Sequence, residues 1–474
     1  MHPVRNPRTG QNDYEFAITA PAELAGIATK LRANAKAWGN SAPEARAKVM
    51  LQWRDALLGE RNHLVAALII DTGRKRESEM EVDSAIGNLS RWCERAPALL
   101  IEPATRNSVV KPMQLTAASV PLGLVAVISP WNFPFLLALI DTVPALSAGC
   151  PVIVKPSEVT PRFIEPLQRA LAAVPGLANV LHIVAGGPAT GAAMIEVADA
   201  VCFTGSVPTG RLIAKHCAER LIPVFLELGG KDAAIVLNGS DVKRAARAIA
   251  WGGLANAGQS CLSIERVIVE DALFKPFSEA LAAECNELKL AYPGVDDGVI
   301  GPLIAARQAE TIQAQLADAF AKGAVALSGA SVENPVENLG GGLWCKPTVL
   351  IHVDNTMKIM TEETFGPVLP VIACRDAAHA IELANGTEFG LSGAVFGPHE
   401  AALAVALQMD CGAVSINDAA LTAIVHDGEK QAFKLSGLGA SRMGDSSIAR
   451  FRRRRILIDN VSLSNDPWWF PAQK

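Results

Sequence analysis

The chain has 474 residues, of which 50% are hydrophobic and 19% charged, and its formal net charge is −5 at pH 7. This composition supplies a large core spread over two or three domains, and no long run of like charge predicts a nucleic-acid partner. We interpret the short basic run RFRRRR (450–455) as a solvated face or a helix end.

The first ~100 residues have apolar side chains at helical spacing. In SAPEARAKVMLQWRDALL, Ser41 can cap a helix, Pro43 suits an early helix position, and Glu44 completes a capping box. The sequence therefore predicts an N-terminal region made of helices.

From about residue 122, short β-branched runs alternate with helix-like stretches of roughly 10–20 residues. The runs are LVAVIS (124–129), PVIVK (151–155), VLHIV (180–184), AVCFTG (200–205) and PVFLEL (223–228). Such continuous apolar strands are typical of a parallel sheet covered on both faces. The alternation repeats after ELGGKD (227–232), which predicts two α/β domains joined near that segment.

Nine cysteines are scattered along the chain without any C-x-x-C pair. This pattern argues against a disulfide framework or a zinc site and is typical of reduced thiols in a cytosolic protein. The N-terminal residues show no apolar signal-peptide core, and proline and asparagine interrupt the uncharged stretch 115–140. We therefore expect a cytoplasmic protein without a membrane partner or a bound metal.

No G-x-G-x-x-G or P-loop fingerprint follows any predicted strand. In FTGSVPTG (203–210), Gly205 permits a tight turn and Ser206 begins a helix whose free N–H groups could bind a pyrophosphate. An ordinary strand–turn–helix is the alternative. Lys155 and Glu158 in VKPSE stand where ribose hydroxyls could be met, and solvated surface residues are the alternative there.

Six motifs in order resemble the aldehyde dehydrogenase superfamily. They are SPWNFP (129–134), KPSE (155–158), FTGS (203–206), LELGGK (226–231), GQSC (258–261) and EETFGP (362–367). The resemblance runs from about residue 15 to about residue 460 and implies an α/β fold with two Rossmann-like parallel-sheet domains and a small β oligomerisation element. The implied segments are 1–99 with 122–228 for cofactor binding, 229–445 for catalysis, and 100–121 with 446–474 for oligomerisation.

The resemblance assigns Cys261 as the catalytic nucleophile, and a thiolate attacks an aldehyde readily once it is activated. It assigns Asn132 as the side-chain donor to the oxyanion, together with the main-chain N–H of Cys261. It assigns Glu227 as the general base that activates water to hydrolyse the thioester. The implied activity is oxidation of an aldehyde to its carboxylic acid, with hydride transfer to NAD(P)+.

The cofactor contacts implied by the resemblance are spread over four motifs. They are Ser129, Pro130, Trp131, Lys155, Ser157, Glu158, Gly205, Ser206, Leu228, Gly229, Glu363 and Phe365. A carboxylate at Glu158 accepts the 2′-OH of NAD and repels the 2′-phosphate of NADP. We therefore expect NAD to be preferred, with NADP as the alternative because Lys155 offsets part of the repulsion.

The sequence departs from the family pattern around the expected substrate tunnel. Asp141 stands where family members often carry lysine, and EKQAFKLSGLGASRMG (429–444) lacks the usual PFGG. His426, in the loop 418–431, is either a substrate-recognition group or a solvated loop residue. Because that loop is mainly apolar and shows no arginine cluster, the sequence favours an apolar or aromatic aldehyde.

Two other functions stay open at this point. An acylating relative would pass the acyl group to coenzyme A, but such relatives tend to lack the base that Glu227 provides. A binding or structural protein on the same fold would be expected to have lost Cys261, Asn132 or Glu227. The apolar tail residues Trp468, Trp469 and Phe470 favour burial against another subunit, as a homodimer or homotetramer.

Overall fold

The structure is a computed structural model that describes residues 1–331, 334–461 and 468–470. The strands in these residues are β1 (His2–Arg5), β2 (Asn12–Phe16), β3 (Arg106–Asn107), β4 (Met113–Pro121), β5 (Val125–Ile128), β6 (Val152–Lys155), β7 (Leu181–Ile183), β8 (Ala200–Thr204), β9 (Val224–Glu227), β10 (Asp232–Val236), β11 (Ile264–Glu270), β12 (Val325–Ser328), β13 (Glu337–Leu339), β14 (Gly342–Trp344), β15 (Thr348–Ile351), β16 (Val368–Cys374), β17 (Phe389–Gly390), β18 (Gly393–Phe396), β19 (Val414–Ile416), β20 (Phe433–Lys434), β21 (Gly437–Leu438) and β22 (Arg452–Asn460).

The α-helices lie between these strands and cover the sheets. They are α1 (Leu24–Asn40), α2 (Pro43–Gly59), α3 (Arg61–Thr72), α4 (Arg76–Leu99), α5 (Pro134–Ser147), α6 (Ile164–Ala172), α7 (Pro175–Ala178), α8 (Pro188–Val197), α9 (Val207–Glu219), α10 (Val242–Leu254), α11 (Asp271–Glu287), α12 (Ala306–Ala321), α13 (Lys358–Thr361), α14 (Ala377–Asn385) and α15 (His399–Ala406). None of the helices in the described part of the chain is both long enough and apolar enough to cross a bilayer.

Two large sheets confirm the predicted α/β class. The first has strand order β21-β9-β8-β5-β6-β7, and its strands run parallel except for the edge strand β21. The second has order β12-β15-β16-β11-β10-β18-β19, with β12 antiparallel at one edge. Strands such as β5 and β6 are buried along their whole length because helices pack on both faces, which explains their continuous apolar runs.

The chain passes from the first sheet to the second through residues 228–231. Strand β9 ends at Glu227, and β10 begins at Asp232. Because the strands of the first sheet are parallel, the carboxyl ends of β5, β6, β8 and β9 meet at one edge. Residues at this edge face the second sheet, which is where open α/β sheets bind their ligands.

A third sheet has order β22-β4-β3. Strand β22 pairs antiparallel with β4 over nine residues, from Arg452 opposite Pro121 to Asn460 opposite Met113. The side chains of Ile456, Leu457 and Ile458 on β22 are exposed in the single chain. Residues 462–467 and 471–474 of the expected oligomerisation arm lie outside the described residues.

Two local expectations were wrong, and a third was confirmed. The N-terminal region includes the hairpin β1–β2, whose Val4 is buried, so it is not helical throughout. The cap of α2 is Ala42 rather than Ser41, because the Ser41 hydroxyl instead donates to the carbonyl of Trp38 at the end of α1. The run RFRRRR confirms its interpretation, because Arg450 lies in the last turn of the short helix Asp445–Phe451 and Arg453, Arg454 and Arg455 are exposed on β22, although Arg450 itself is buried.

Candidate active site

A strained loop presents Cys261 between α10 and β11. Three consecutive residues before it, Asn256, Ala257 and Gly258, have φ angles of 56°, 53° and 70°. Such left-handed backbone costs roughly 1–3 kcal/mol at a non-glycine residue and persists only where the surroundings enforce it. The enforcing group is the buried amide of Gln259, which donates to the carbonyls of Asn256 and Pro302 and accepts from the N–H of Ile304. Cys261 is left half-buried at the end of this loop.

Asn132 is fixed against the same loop from the first sheet. Its side-chain Nδ2 donates to the carbonyl of Gln259 at 3.1 Å. Its own carbonyl accepts from Arg74 at 2.7 Å and from the Asn256 side chain at 3.1 Å. A side-chain amide carries two N–H groups, so one remains for a ligand in the cleft beside Cys261.

Glu227 is the last residue of β9, and its side chain is half-buried. The main-chain carbonyl of Glu227 accepts from the N–H of Gly205. On the opposite edge of β9, Glu227 is the antiparallel strand partner of Gly437 in β21. The charge of the Glu227 carboxylate raises the pKa of Cys261, so the two groups lie close enough to interact electrostatically. The structure thus brings Asn132 against the loop of Cys261 and Glu227 within electrostatic reach of its thiol.

The two glycines of LELGGK let the backbone of the joining segment pass close to this cleft. A Cβ on Gly229 would lie 2.6 Å from a carboxylate oxygen of Glu363. A Cβ on Gly230 would lie 2.7 Å from the carbonyl oxygen of Cys261. The Gly230 contact is with a main-chain oxygen and excludes a side chain, whereas the Gly229 contact is with the flexible end of Glu363. Gly230 therefore sets the spacing between the joining segment and the loop of Cys261.

The thiol of Cys261 is held in its protonated form. Burial raises the pKa of Cys261 to about 12, and the charges of Glu227 and Glu363 raise it further. The cations Lys430 and Arg442 act in the opposite direction. The free protein therefore contains little thiolate at neutral pH.

A buried ion pair positions the EETFGP segment. The ammonium of Lys231 donates to Glu265 at 2.8 Å and to Thr364 at 2.9 Å. The two oxygens of Glu265 accept from the main-chain N–H groups of Thr364 and Phe365 at 2.7 and 2.8 Å. This network holds Phe365 at a φ of 53°. Sequence reasoning missed Glu265 as a positioning residue, although a charged residue inside the apolar run SIERVIVE was a signal for it.

Glu363 and Phe365 then stand beside the cleft. Glu363 accepts from the N–H of Gly230 at 3.1 Å, and burial, reinforced by the charge of Glu265, raises the pKa of Glu363 to about 8. The ring of Phe365 meets that of Trp131 edge to face at 5.4 Å. These two rings form an apolar wall next to Cys261's loop.

The edge of the first sheet offers unsatisfied donors that fit a dinucleotide. Ser206 is the N-cap residue of α9, but its hydroxyl contacts Thr209 and makes no capping hydrogen bond, so the first N–H groups of the helix remain free for a phosphate. The hydroxyl of Ser129 is buried and has no hydrogen-bond partner among the described residues. Nearby, Leu228 packs on Gly210 of the same helix.

The KPSE segment supplies a paired cation and carboxylate at the end of β6. Lys155 Nζ lies 3.2 Å from Glu158 Oε2 and also donates to the carbonyl of Gly186 at 2.7 Å. The Ser157 hydroxyl accepts from the N–H of Val159 and fixes the turn. Pro130 lies half-buried at the end of β5 across the same edge.

Asp141 is the centre of a buried ionic cluster behind the cleft. It pairs with Arg442 at 2.7 Å and with Arg450, and Arg442 also contacts the hydroxyl of Thr204. Burial alone would raise the pKa of Asp141, but the charges of Arg442 and Arg450 hold it below its usual range. The charge of Arg442 also acts on Glu227. Asp141 is therefore a structural anion, and sequence reasoning found the departure at this position but not its partners.

Comparison with known proteins gives a consistent result. A family model described as the aldehyde dehydrogenase family matches residues 1–456. A Mycolicibacterium smegmatis protein, named as a candidate succinate-semialdehyde dehydrogenase [NADP(+)], is 32% identical over 98% of this chain and 90% of its own length. The 4,4'-diapolycopene aldehyde oxidase of a Methylomonas species is 35% identical, over 98% and 87%. The solved structure of a candidate aldehyde dehydrogenase, PutA from Anabaena variabilis, has a TM-score of 0.96 and 49% identity over 99% of both chains.

Proposed function

Because the chain belongs to the aldehyde dehydrogenase family and is an oxidoreductase acting on aldehydes, we propose that Cys261, Asn132 and Glu227 carry out the reaction. In this proposal the protein converts an aldehyde to its carboxylic acid through a thiohemiacetal and a thioester on Cys261. The observation that carries it is the convergence of Asn132 and Glu227 on the strained loop that holds Cys261.

The first half of the reaction forms the thioester. The thiol of Cys261 gives up its proton to solvent water, the resulting thiolate adds to the carbonyl carbon, and the oxyanion accepts from the Asn132 amide and the Cys261 N–H. NAD(P)+, when bound, supplies the acceptor for the hydride that leaves the tetrahedral carbon. Loss of that hydride and re-formation of the C=O bond leave an acyl group on Cys261. Trp131 and Phe365, whose rings meet edge to face, would pack beside the nicotinamide when the cofactor is bound.

The second half releases the acid. Glu227 takes a proton from a water molecule as the water's oxygen attacks the thioester carbon. The C–S bond then breaks, and the thiolate of Cys261 leaves. A carboxylate at position 227 favours water as acceptor over coenzyme A, since attack by water needs this base.

For the cofactor, we assign the pyrophosphate to the start of α9 at Gly205 and Ser206, and the adenosine ribose to Lys155 and Glu158. Glu363 would hold the nicotinamide ribose. The carboxylate of Glu158 favours NAD over NADP by repelling the 2′-phosphate, although the Mycolicibacterium and Mycobacterium relatives named for succinate semialdehyde all specify NADP. Residues 1–99 and 122–228 thereby act as the cofactor-binding domain, and 229–445 as the catalytic domain.

We also propose that the protein self-associates and that it resides in the cytoplasm. The exposed apolar side chains of Ile456, Leu457 and Ile458 on β22 favour a partner surface supplied by a second copy, as a homodimer or homotetramer. Segments 100–121 and 446–474 would form this interface. All nine cysteines are free thiols, which suits a reducing cytoplasm. Sedimentation at micromolar concentration tests the association, and a monomer would contradict it.

The test of the reaction is a set of three variants assayed by NADH absorbance against a panel of aldehydes. Cys261→Ala should abolish turnover, whereas Cys411→Ser, at the other half-buried cysteine, should not. Glu227→Gln should give one burst of NADH per subunit and a mass increase on Cys261 equal to the acyl group. Normal turnover by Cys261→Ala would overturn the proposal.

The names of relatives do not select a substrate. One is named for succinate semialdehyde, which carries a carboxylate, and another for 4,4'-diapolycopene aldehyde. The substrate class therefore depends on the side chains that this chain places around Cys261.

A further inference from the structure

The turn between α3 and α4 carries a buried arginine that contacts the main chain of Asn132. Arg74 is 2% exposed, and its Nη2 donates to the Asn132 carbonyl at 2.7 Å. The same nitrogen donates to Oε2 of Glu81, on α4, at 3.1 Å. The guanidinium also lies over the ring of Phe133, with 4.4 Å between its central carbon and the ring centroid. One arginine therefore contacts two consecutive residues of the motif SPWNFP.

Glu81 holds the residues that follow this motif. It is also 2% exposed, and its other oxygen, Oε1, accepts from the main-chain N–H groups of Phe135 and Leu136 at 2.7 and 3.1 Å. Both N–H groups belong to the first turn of α5, which begins at Pro134 and receives no capping hydrogen bond from its own N-cap residue. A carboxylate that accepts from the first N–H groups of a helix stabilises the start of that helix. Glu81 therefore caps α5 from a neighbouring helix.

The carbonyl of Asn132 has a second donor on the loop that presents Cys261. Nδ2 of Asn256 lies 3.1 Å from the Asn132 carbonyl and 2.9 Å from the Gln259 carbonyl. The Gln259 carbonyl is also the acceptor for the side chain of Asn132. Asn132 is thus bound at both its carbonyl and its side chain. Of these bonds, the one from Arg74 comes from outside the loop of Cys261.

Stability alone does not account for a buried ion pair of this kind. Nε and Nη1 of Arg74 are buried and have no hydrogen-bond partner among the described residues. A buried guanidinium with unsatisfied donors is costly, and a buried ion pair is often no more stabilising than apolar side chains of the same size. This cost indicates that the pair serves the geometry it imposes on the residues around it.

We propose that Arg74 and Glu81 are positioning residues that hold the side-chain amide of Asn132 in the direction from which it donates to the oxyanion. This inference rests on the proposed function, since it concerns the oxyanion formed when Cys261 attacks an aldehyde. Because Arg74 fixes the carbonyl of Asn132 and Glu81 fixes the start of α5 two residues later, the backbone that carries the asparagine side chain cannot rotate. A donor held in this way needs no reorganisation when negative charge develops on the substrate oxygen.

The first experiment separates position from stability with a paired substitution. Arg74→Met leaves Glu81 buried without its cation and should lower the urea midpoint of unfolding. Arg74→Met/Glu81→Gln removes both charges, and an amide oxygen at position 81 still accepts from the start of α5. The urea midpoint of this double variant should therefore be closer to that of the wild type.

The double variant should nevertheless lose activity, because the Asn132 carbonyl has lost the bond from Arg74. We expect kcat to fall by roughly tenfold to a hundredfold while KM for the aldehyde changes far less, since the lost interaction acts in the transition state. Arg74→Lys, whose ammonium can also donate to two acceptors, should recover part of the kcat that Arg74→Met loses.

Arg61→Met/Asp83→Asn is the matched control. Arg61 on α3 and Asp83 on α4 form an exposed ion pair at 2.7 Å, so this variant removes the same two charges from the same part of the chain. Exposed pairs contribute little to stability. We expect kcat, KM and the urea midpoint of the control to stay close to those of the wild type.

The second experiment is a double-mutant cycle with Asn132→Ala. If Arg74 and Glu81 act through the Asn132 side chain, Arg74→Met/Glu81→Gln should have little further effect on the kcat of an enzyme that already lacks this side chain. The rate at which iodoacetamide alkylates Cys261 should change far less than kcat in Arg74→Met/Glu81→Gln. A purely structural role would lower kcat in both backgrounds by the same factor.

Hydrogen–deuterium exchange of the peptide 130–137 gives a readout that needs no turnover. Loss of the charged hydrogen bond to the Asn132 carbonyl should speed exchange of this peptide by roughly tenfold in Arg74→Met/Glu81→Gln. The control Arg61→Met/Asp83→Asn should leave the exchange rate unchanged.

The outcomes separate the two hypotheses. An unchanged kcat in Arg74→Met/Glu81→Gln, or an equal loss of kcat with and without the Asn132 side chain, would overturn the inference and leave the proposed function intact. Absence of wild-type turnover with every aldehyde would refute the proposed function. The exchange rate of the peptide 130–137 would then decide by itself whether Arg74 and Glu81 fix the Asn132 segment, and an unchanged rate would overturn that as well.

Discussion

The backbone of Gly230 passes so close to Cys261 that a Cβ there would stand 2.7 Å from the Cys261 carbonyl oxygen. This contact joins the segment that leaves Glu227 to the loop that presents the thiol. It ties the first sheet to the nucleophile through main-chain atoms alone. The position of Cys261 therefore depends on a residue without a side chain.

Gly230→Ala should reduce kcat/KM by about a hundredfold, because a displacement of about 1 Å at the reacting atom has that effect. The matched control is Gly87→Ala, on the exposed face of α4, where an added Cβ meets no atom within 4 Å. Both variants should have similar far-UV circular dichroism. A Gly230→Ala enzyme as active as Gly87→Ala would show that the close approach is not required.

Asn132→Ala should lower kcat by about 10²–10³-fold, since it removes one donor to the oxyanion. The variant also loses the bond to the Gln259 carbonyl, so the alkylation rate of Cys261 by iodoacetamide serves as a check on the loop. We expect that rate to change far less than kcat. An equal fall in both would mean that Asn132 only holds the loop.

The pH dependence of Cys261 follows from its raised pKa of about 12 in the cofactor-free protein. Because only the thiolate reacts, the rate of alkylation by iodoacetamide should rise by about tenfold per pH unit from neutral pH to pH 10. A small reference thiol such as glutathione should level off near pH 9. A Cys261 rate that is already constant at pH 8 would contradict the burial argument.

Asp141→Asn should lower the free energy of unfolding by about 3–5 kcal/mol, because it leaves Arg442 and Arg450 buried without their carboxylate. Asp83→Asn is the matched control, since it breaks an exposed ion pair with Arg61 and should cost about 1 kcal/mol or less. Urea unfolding measures both. Since the pKa of Asp141 is lowered in the folded state, this stabilisation is present at neutral pH and is lost only as the pH falls below the usual carboxylate range.

Much of the sheet architecture could be predicted from the sequence because buried parallel strands leave a direct signature. The runs at β5, β6 and β8 are apolar along their whole length, and each marks a strand in the structure. The sequence did not predict the hairpin β1–β2, because HPVR is short and contains both polar and apolar residues. Its stability comes from burial of Val4 against residues far away in the chain. The motifs also predicted which residues approach Cys261's loop, since Asn132 and Glu227 lie at the ends of readable strands.

The ionic partners could not be predicted in the same way. Arg442 and Asp141 are 301 residues apart in the chain, and no local pattern indicates that they pair.

The last prediction concerns the choice of cofactor. Glu158 Oε2 lies 3.2 Å from Lys155 Nζ, so the carboxylate partly neutralises the lysine. The same carboxylate is the group expected to meet the adenosine ribose. Glu158→Gln should raise kcat/KM for NADP by about tenfold or more, because it removes a repulsive charge and frees Lys155 to pair with the 2′-phosphate. Activity with NAD should fall moderately, since a neutral amide accepts less strongly from the 2′-OH. Glu196→Gln, on the exposed side of α8 in the same half of the chain, controls for net charge and should leave the NADP-to-NAD ratio unchanged. If Glu158→Gln left that ratio unchanged as well, Glu158 would not contact the ribose, and the preference for NAD would have to come from another residue.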